Sequence, residues 1–186
     1  MAQQVNGYRI VPNGTFEQFR SYILTHAVNV DYAFGNQCMD VIMLLYYQYG
    51  FRLQAGPQGY AYEVWTNKRW QNSVGPFQSF TGAKNIKKGD VLVFNHHGAY
   101  YTGHIALANE DYKGGSTIQI VGQNQGQGSG WGAGSNIINY NISYFLGGFR
   151  NVKWKAPTPP TPTPTPKTYR KGKFPWAIYA RKLRSR

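Results

Sequence analysis

Apolar residues at helical spacing mark two segments in the first third of the chain. Thr15 and Gln18 form the pattern of a capping box, and apolar side chains then recur at Phe16, Phe19, Ile23 and Ala27. A second apolar run, residues 41–49, follows Cys38 and closes on Gly50, a residue suited to ending a helix in the left-handed region. The pattern therefore predicts two helices, with Cys38 in the first turn of the second.

Short apolar runs bounded by turns mark the second half of the chain and predict strands. They cover residues 91–94, 103–108, 117–121, 137–140 and 149–152. Residues 51–81 mix glycine, proline and aromatic residues without a clear period. Helices first and antiparallel strands after them are typical of an α+β fold. We expect the N-terminal helices to pack on a twisted antiparallel sheet.

The length and composition predict one domain with an appendage. We assign residues 1–156 to the folded domain, residues 157–166, rich in Pro and Thr, to a polyproline II linker, and residues 167–186 to a basic tail. The tail has too few apolar residues for a core, so it is either a basic arm or the start of a wall-binding or anchoring segment. The first residues lack a signal-peptide pattern, and no apolar run is long enough to span a membrane.

The net charge of +13 is unevenly distributed. The tail carries eight basic and no acidic residues, which leaves a net charge of about +5 for the chain before it. Such a balance indicates a polyanionic partner: nucleic acid, an anionic membrane or the teichoic acids of a Gram-positive wall. The single cysteine excludes an intramolecular disulfide framework and fits synthesis in a reducing compartment.

Cys38, His104 and Asn124 form the candidate catalytic set. The start of a helix favours a thiolate, so Cys38 is a plausible nucleophile, although a lone cysteine is also a common small buried residue. His104 lies on a predicted strand, and Asn124 follows the next strand. A helix-borne thiol, a strand-borne imidazole and a polar side chain that fixes the imidazole tautomer make up a papain-like site. Gln37 and the backbone N–H of Cys38 are candidates for oxyanion stabilisation.

Four short motifs in the same order resemble those of the CHAP family, the cysteine, histidine-dependent amidohydrolases/peptidases of phage lysins and bacterial wall hydrolases. They are Gln37-Cys38-Met39-Asp40, Lys88-Gly89-Asp90-Val91, Gly103-His104-Ile105-Ala106 and Gly122-Gln123-Asn124. The resemblance covers about residues 14–154 and implies a papain-like, NlpC/P60-like fold. Many phage members carry Glu at the position of Gly122, so here Asn124 alone would orient His104.

The resemblance implies a peptidoglycan hydrolase, a cysteine amidase or endopeptidase of phage lysin type. It would cut an amide bond in the stem peptide or cross-bridge, or the muramoyl-L-alanine bond, and it would require no cofactor. Its partners would be Gram-positive peptidoglycan and anionic wall polymers, with virion proteins as a further class. The protein would wait in the host cytoplasm for holin-mediated release, or travel in the virion. The alternative is a non-catalytic basic module that binds wall polymer or single-stranded nucleic acid.

Three further predictions concern binding. Some family members hold calcium just before the nucleophile, and the matching oxygen ligands here are Asn29, Asp31 and Asp40; the alternative is a solvated loop with a helix-start carboxylate. Trp131, in a glycine-rich loop, and Gln123 are candidate substrate-binding residues, and Trp131 could equally be a packing residue. His96 and His97 lack a zinc-binding spacing and are expected in a loop that borders the site.

Overall fold

The computed structural model describes residues 4–5, 8–9, 14–53, 55–67, 75–126 and 134–156. The proposed linker and tail therefore lie outside the described residues. None of the described helices is long and apolar enough to cross a membrane.

Among the described residues, three α-helices precede the main sheet. Helix α1, Phe16–Thr25, has the predicted capping box: Thr15 Oγ1 accepts from the backbone N–H of Gln18 at 3.1 Å, and Gln18 Oε1 accepts from that of Thr15 at 3.0 Å. It ends two residues before Ala27, which the spacing had included. Helix α2, Cys38–Tyr47, is buried over most of its length and is the central helix of the fold. Helix α3, Glu63–Thr66, is a single turn.

In the part of the chain that the structure describes, the main sheet has six strands in the order β3-β8-β4-β5-β6-β7, and every neighbouring pair is antiparallel. A two-stranded hairpin of β1, Gln4–Val5, and β2, Tyr8–Arg9, lies at the N-terminus. The main-sheet strands are β3, Phe77–Phe80; β4, Val91–Phe94; β5, His104–Ala108; β6, Thr117–Gly122; β7, Asn136–Asn141; and β8, Phe145–Asn151. The predicted α+β fold class is confirmed.

The two faces of β5 separate two apolar cores, as the period of two predicts. Ile105 and Leu107 belong to the core shared with α1 and α2, and Ala106 and Ala108 belong to a second core on the opposite face. Helix α2 packs directly on β5. This packing brings the first turn of α2, where Cys38 lies, to the strand that carries His104.

Candidate active site

Cys38 is the first residue of α2 and is only 8% exposed. It is one of the residues that line a cavity of about 730 Å³. Burial raises the pKa of the Cys38 thiol to about 11, although a hydrogen bond from the backbone of Ile105 acts in the opposite direction. The thiol is therefore neutral in the resting site. The start of the helix had predicted a thiolate, but desolvation of the sulfur outweighs that effect.

His104 is the first residue of β5 and is 1% exposed. Its Nε2 lies 2.8 Å from Gln125 Oε1. The rings of Tyr100 and Tyr140 each lie 5.4 Å from the imidazole, centre to centre. Burial lowers the pKa of His104 to about 4, so the imidazole is also neutral at pH 7.

The structure brings Cys38 and His104 into one neighbourhood. The thiol is hydrogen-bonded to the backbone of Ile105, the residue that follows His104 on β5. Tyr140 lies near both groups: its ring stacks on the imidazole, and its pKa, raised chiefly by burial, is raised further by Tyr100 and by the Cys38 thiol. The sequence-predicted nucleophile and base therefore lie on neighbouring elements at the same end of the sheet.

Gly103 fixes where β5 begins. Its φ is 70°, in the left-handed region that glycine adopts without strain. A Cβ at this position would lie 2.7 Å from the carbonyl oxygen of Phe94 and 2.7 Å from Cβ of Tyr62. Only glycine fits this close approach, which sets the backbone directly before His104.

The side chain of Asn124 contacts Gln37, at the start of α2. Its side-chain Nδ2 donates to Gln37 Oε1 at 3.0 Å, whereas the hydrogen bond at Nε2 of His104 is made by Gln125. Asn124 is therefore not the sole candidate for orienting the imidazole, and its own part in that task stays a prediction. No pattern in the sequence points to Gln125, because the direction of its side chain depends on the left-handed turn at Asn124, where φ is 52°.

Gln123 is a structural residue rather than a substrate-binding one. Its side chain is fully buried. Its Oε1 accepts from the backbone N–H of Val28 at 2.7 Å, and its Nε2 donates to the carbonyl oxygens of Val28 at 2.6 Å and Gln37 at 3.2 Å. The prediction of substrate contact is wrong, because both ends of the amide bind the backbone that leads to Cys38.

Gln37 lies at the cavity, immediately before the nucleophile. Its Nε2 donates to the carbonyl oxygen of Phe34 at 2.5 Å. A primary amide has two N–H bonds, so this contact uses only one of them. The role of Gln37 in oxyanion binding stays a prediction. The backbone N–H of Cys38, in the first turn of α2, is the other candidate donor.

The calcium site at Asn29, Asp31 and Asp40 stays a prediction, and the structure gives the contacts of these residues. Asp40 is 1% exposed, and its two oxygens accept from the backbone N–H groups of Val30 at 2.7 Å and Gln37 at 2.8 Å. Asp31 Oδ1 accepts from the N–H of Ala33 at 2.8 Å, while Asn29 is half-buried. Within the described part of the chain, no three His, Cys, Asp or Glu side chains cluster as metal ligands. Asp40 holds the loop before α2 through these backbone contacts, and burial raises its pKa to about 6.

The remaining predicted residues lie at the border of the site or beyond the described chain. Trp131 is outside the described residues. His97 Nε2 lies 2.8 Å from the hydroxyl of Tyr140, and its ring stacks on Tyr144 at 3.7 Å. His97 therefore reaches the site through Tyr140, in agreement with a loop position bordering it.

A thiol at the start of a central helix, packed on an antiparallel sheet that carries an imidazole, is the arrangement of the papain-like class. The chain belongs to the CHAP family: residues 27–124 match the CHAP domain. Among solved structures, the wild-type endolysin LysIME-EF1 has a similar fold, with a TM-score of 0.57 and 24% sequence identity over 73% of this chain. The match covers 63% of that endolysin's length. No curated protein matches the sequence.

Proposed function

We propose that this protein is a peptidoglycan hydrolase of the phage lysin type that cuts an amide bond of the bacterial wall through Cys38 and His104. The observation that carries the proposal is the position of the thiol, in a cavity and bonded to the backbone next to His104. Membership of the CHAP family and a fold similar to that of an endolysin support the same activity.

The mechanism starts from a neutral pair, because the pKa of the thiol is about 11 and that of the imidazole about 4. As Sγ of Cys38 attacks the carbonyl carbon, His104 accepts the thiol proton and a C–S bond forms. His104 then donates this proton to the leaving nitrogen, the C–N bond breaks, and an amine departs. Water, deprotonated by His104, attacks the thioester and releases a carboxylic acid and the free thiol.

The tetrahedral intermediate carries a negative oxygen that needs donors. We assign the backbone N–H of Cys38 and the side-chain amide of Gln37 to this role, since both lie at the start of α2 beside the attacking sulfur. Asn124 supports Gln37 by donating to its Oε1 at 3.0 Å. Asn124 therefore serves the oxyanion side of the site.

The walls of the cavity favour a peptide over a polyanion. None of the described residues that line it is Lys, Arg or His, and Asp31 is an exposed carboxylate at its edge. Small residues, among them Gly56 and Gly59, form part of the opposite wall. Phosphate-bearing wall polymers would meet no cation among these described lining residues, whereas an uncharged or amine-bearing peptide fits. Wall polymers are then partners for the basic tail, outside the described residues.

Exposed aromatic rings border the cavity. Phe34 is 73% exposed and Tyr101 is 71% exposed, and both line the opening. Phe34 has a φ of 57°, a strained conformation for a bulky residue that directs an apolar ring to solvent just before the nucleophile. Such rings offer flat apolar surfaces for a peptide or sugar of the substrate.

Replacing Phe34 or Tyr101 with alanine should raise KM about threefold to tenfold and leave kcat within about twofold, because each lost ring contact contributes about 1 kcal/mol to substrate binding. Steady-state kinetics on solubilised wall fragments measure this. Tyr32→Ala is the matched control, since Tyr32 is 69% exposed, also has a φ of 57°, and does not line the cavity. An equal rise in KM in Tyr32→Ala would contradict substrate contact at the rim.

The reaction type is tested by digesting purified Gram-positive peptidoglycan and identifying the fragments by mass spectrometry. We expect new amino and carboxyl groups in equal number and no new reducing sugar ends. Loss of stem peptides from the glycan would identify the muramoyl-L-alanine bond, and opened cross-links would identify an endopeptidase. New reducing ends, absent from a digest by Cys38→Ala, would overturn the proposal, as would the absence of soluble products.

The route to the wall follows from the same proposal. A lysin reaches its substrate from the host cytoplasm by holin-mediated release, or from outside as part of the virion. The basic residues of the tail would add attraction to anionic wall polymers on either route.

A further inference from the structure

Position 122 is the last residue of β6 and faces the neighbourhood of His104. A Cβ built at Gly122 would lie 3.1 Å from Cβ of Ala106 and 3.1 Å from Oε1 of Gln125. Ala106 is two residues after His104 and points to the same face of β5. The space that a longer side chain at position 122 would enter therefore contains the amide of Gln125.

The chain after β6 turns back so that Gln125 reaches this space. Asn124 is left-handed, a conformation that Asn tolerates better than most residues. Gln125 Nε2 donates to the carbonyl oxygen of Asn136 at 2.9 Å, and Asn136 Nδ2 donates to the carbonyl oxygen of Gln125 at 3.1 Å. The N–H of Gly126 donates to the hydroxyl of Tyr100 at 2.9 Å. Gln125 is thus held on both sides and is fully buried.

These hydrogen bonds determine which end of the Gln125 amide faces the imidazole of His104. A backbone carbonyl oxygen only accepts, so the nitrogen of Gln125 must point to Asn136, and the oxygen must point to His104. An amide oxygen also only accepts. Nε2 of His104 therefore carries the proton and donates it to Gln125, which leaves Nδ1 of the neutral ring as the basic nitrogen.

We propose that Gln125 is the positioning residue for His104, and that it replaces an acidic side chain at position 122 by selecting the tautomer with Nδ1 as the base. The inference rests on the proposed function. It assigns to a neutral amide, three residues further along the chain, the task for which many phage members of the family have Glu.

An amide and a carboxylate beside His104 differ in how strongly they stabilise the positively charged imidazolium. A carboxylate would stabilise the imidazolium strongly, whereas the amide oxygen only partly offsets the burial that lowers the pKa of His104 to about 4. The titratable groups around the ring are Tyr100, Tyr140 and His97, with the Cys38 thiol against the following residue. All of them are unchanged in the variants below, so a shift in the pH profile reports on position 125.

The test compares wild type, Gln125→Ala and Gln125→Glu by kcat, KM and pH profile on solubilised wall fragments. We expect Gln125→Ala to lower kcat by about 10-fold to 100-fold with KM within about twofold, the effect of losing an orienting partner of a functional histidine. Gln125→Glu keeps the acceptor, so kcat stays within about 10-fold of wild type. Its acid limb moves to higher pH, because a carboxylate raises the imidazole pKa and the base is lost at higher pH.

A second variant tests whether a carboxylate at position 122 can take over the role of Gln125. Adding Gly122→Glu to Gln125→Ala should raise kcat above that of Gln125→Ala, because the new carboxylate enters the vacated space beside Ala106. Gln78→Ala, an exposed glutamine on β3, is the control for loss of an amide and should match wild type.

Wild-type kcat in Gln125→Ala, an unshifted acid limb in Gln125→Glu, or no gain from Gly122→Glu would each overturn the inference. If the wild-type protein released no amine from wall fragments, the proposed function itself would be overturned. Failure of the inference and failure of the proposed function are therefore distinguishable.

Discussion

Replacing Cys38 with alanine should reduce the rate of wall clearing by about 10³-fold or more, since the covalent step has no other nucleophile. Folding should be preserved, because alanine occupies less space than the thiol at a position that is already 8% exposed at the cavity. Turbidity loss of Gram-positive wall suspensions measures the rate, and urea unfolding measures stability.

The same variant separates the hydrolase from a non-catalytic binding module. Cys38→Ala should sediment with walls to the same extent as wild type, so loss of clearing would not reflect loss of binding. Because Cys38 is the only cysteine, alkylation of wild type gives an independent inactivation at the same atom. Equal clearing by wild type, the variant and the alkylated protein would refute the thiol mechanism.

Replacing Asp40 with alanine should lower the free energy of unfolding by about 2–4 kcal/mol, because two backbone N–H groups, those of Val30 and Gln37, lose their acceptor. The buried carboxylate joins the loop before the nucleophile to the first turn of α2. Urea unfolding of both proteins at pH 7 measures the difference. Asp31→Asn is the matched control, since Asp31 is exposed on the same loop, and it should lie within about 0.5 kcal/mol of wild type.

The pH dependence of this effect has a defined sign. Burial raises the pKa of Asp40 from 3.8 to about 6, so protonation of this group favours the folded state, and its contribution falls as pH rises from about 4 to about 6. Asp40→Asn does not titrate there. The unfolding free energy of wild type minus that of Asp40→Asn should therefore decrease across this window. A difference that is constant or increases with pH would contradict the buried carboxylate.

The sequence predicted the features that depend on local chemistry or on regular spacing. The capping box of Thr15 and Gln18, the alternation along β5, and the neighbourhood of Cys38 and His104 follow from such rules. Strand β3 and helix α3 were missed because they lie in the segment without a period. Strand β8 begins four residues earlier than the apolar run at 149–152, since Gly147 and Gly148 interrupt the strand pattern. Gly147 is required there, because a Cβ would lie 2.2 Å from the ring of Trp65.

The site was only partly predictable because its motif residues differ in where their side chains point, whereas their residue types are alike. Three adjacent polar residues, Gln123, Asn124 and Gln125, have the same chemistry in the sequence and bind to different groups in the structure. Their directions depend on one left-handed residue, Asn124. A carboxylate at a helix start suits either a metal or the backbone, and for Asp40 only the fold reveals the backbone contacts to Val30 and Gln37.

The two hydrogen bonds between Gln123 and Val28, together with the one to Gln37, limit where chimeras of this chain can be joined. These contacts join the segment before the nucleophile to the turn that carries the partner of the imidazole. A chimera whose parents are joined between α2 and β6 would take Val28 and Gln37 from one parent and Gln123 from the other. Exchange should therefore transfer residues 28–40 and 122–136 as one unit, even though most of the sheet separates them in the chain.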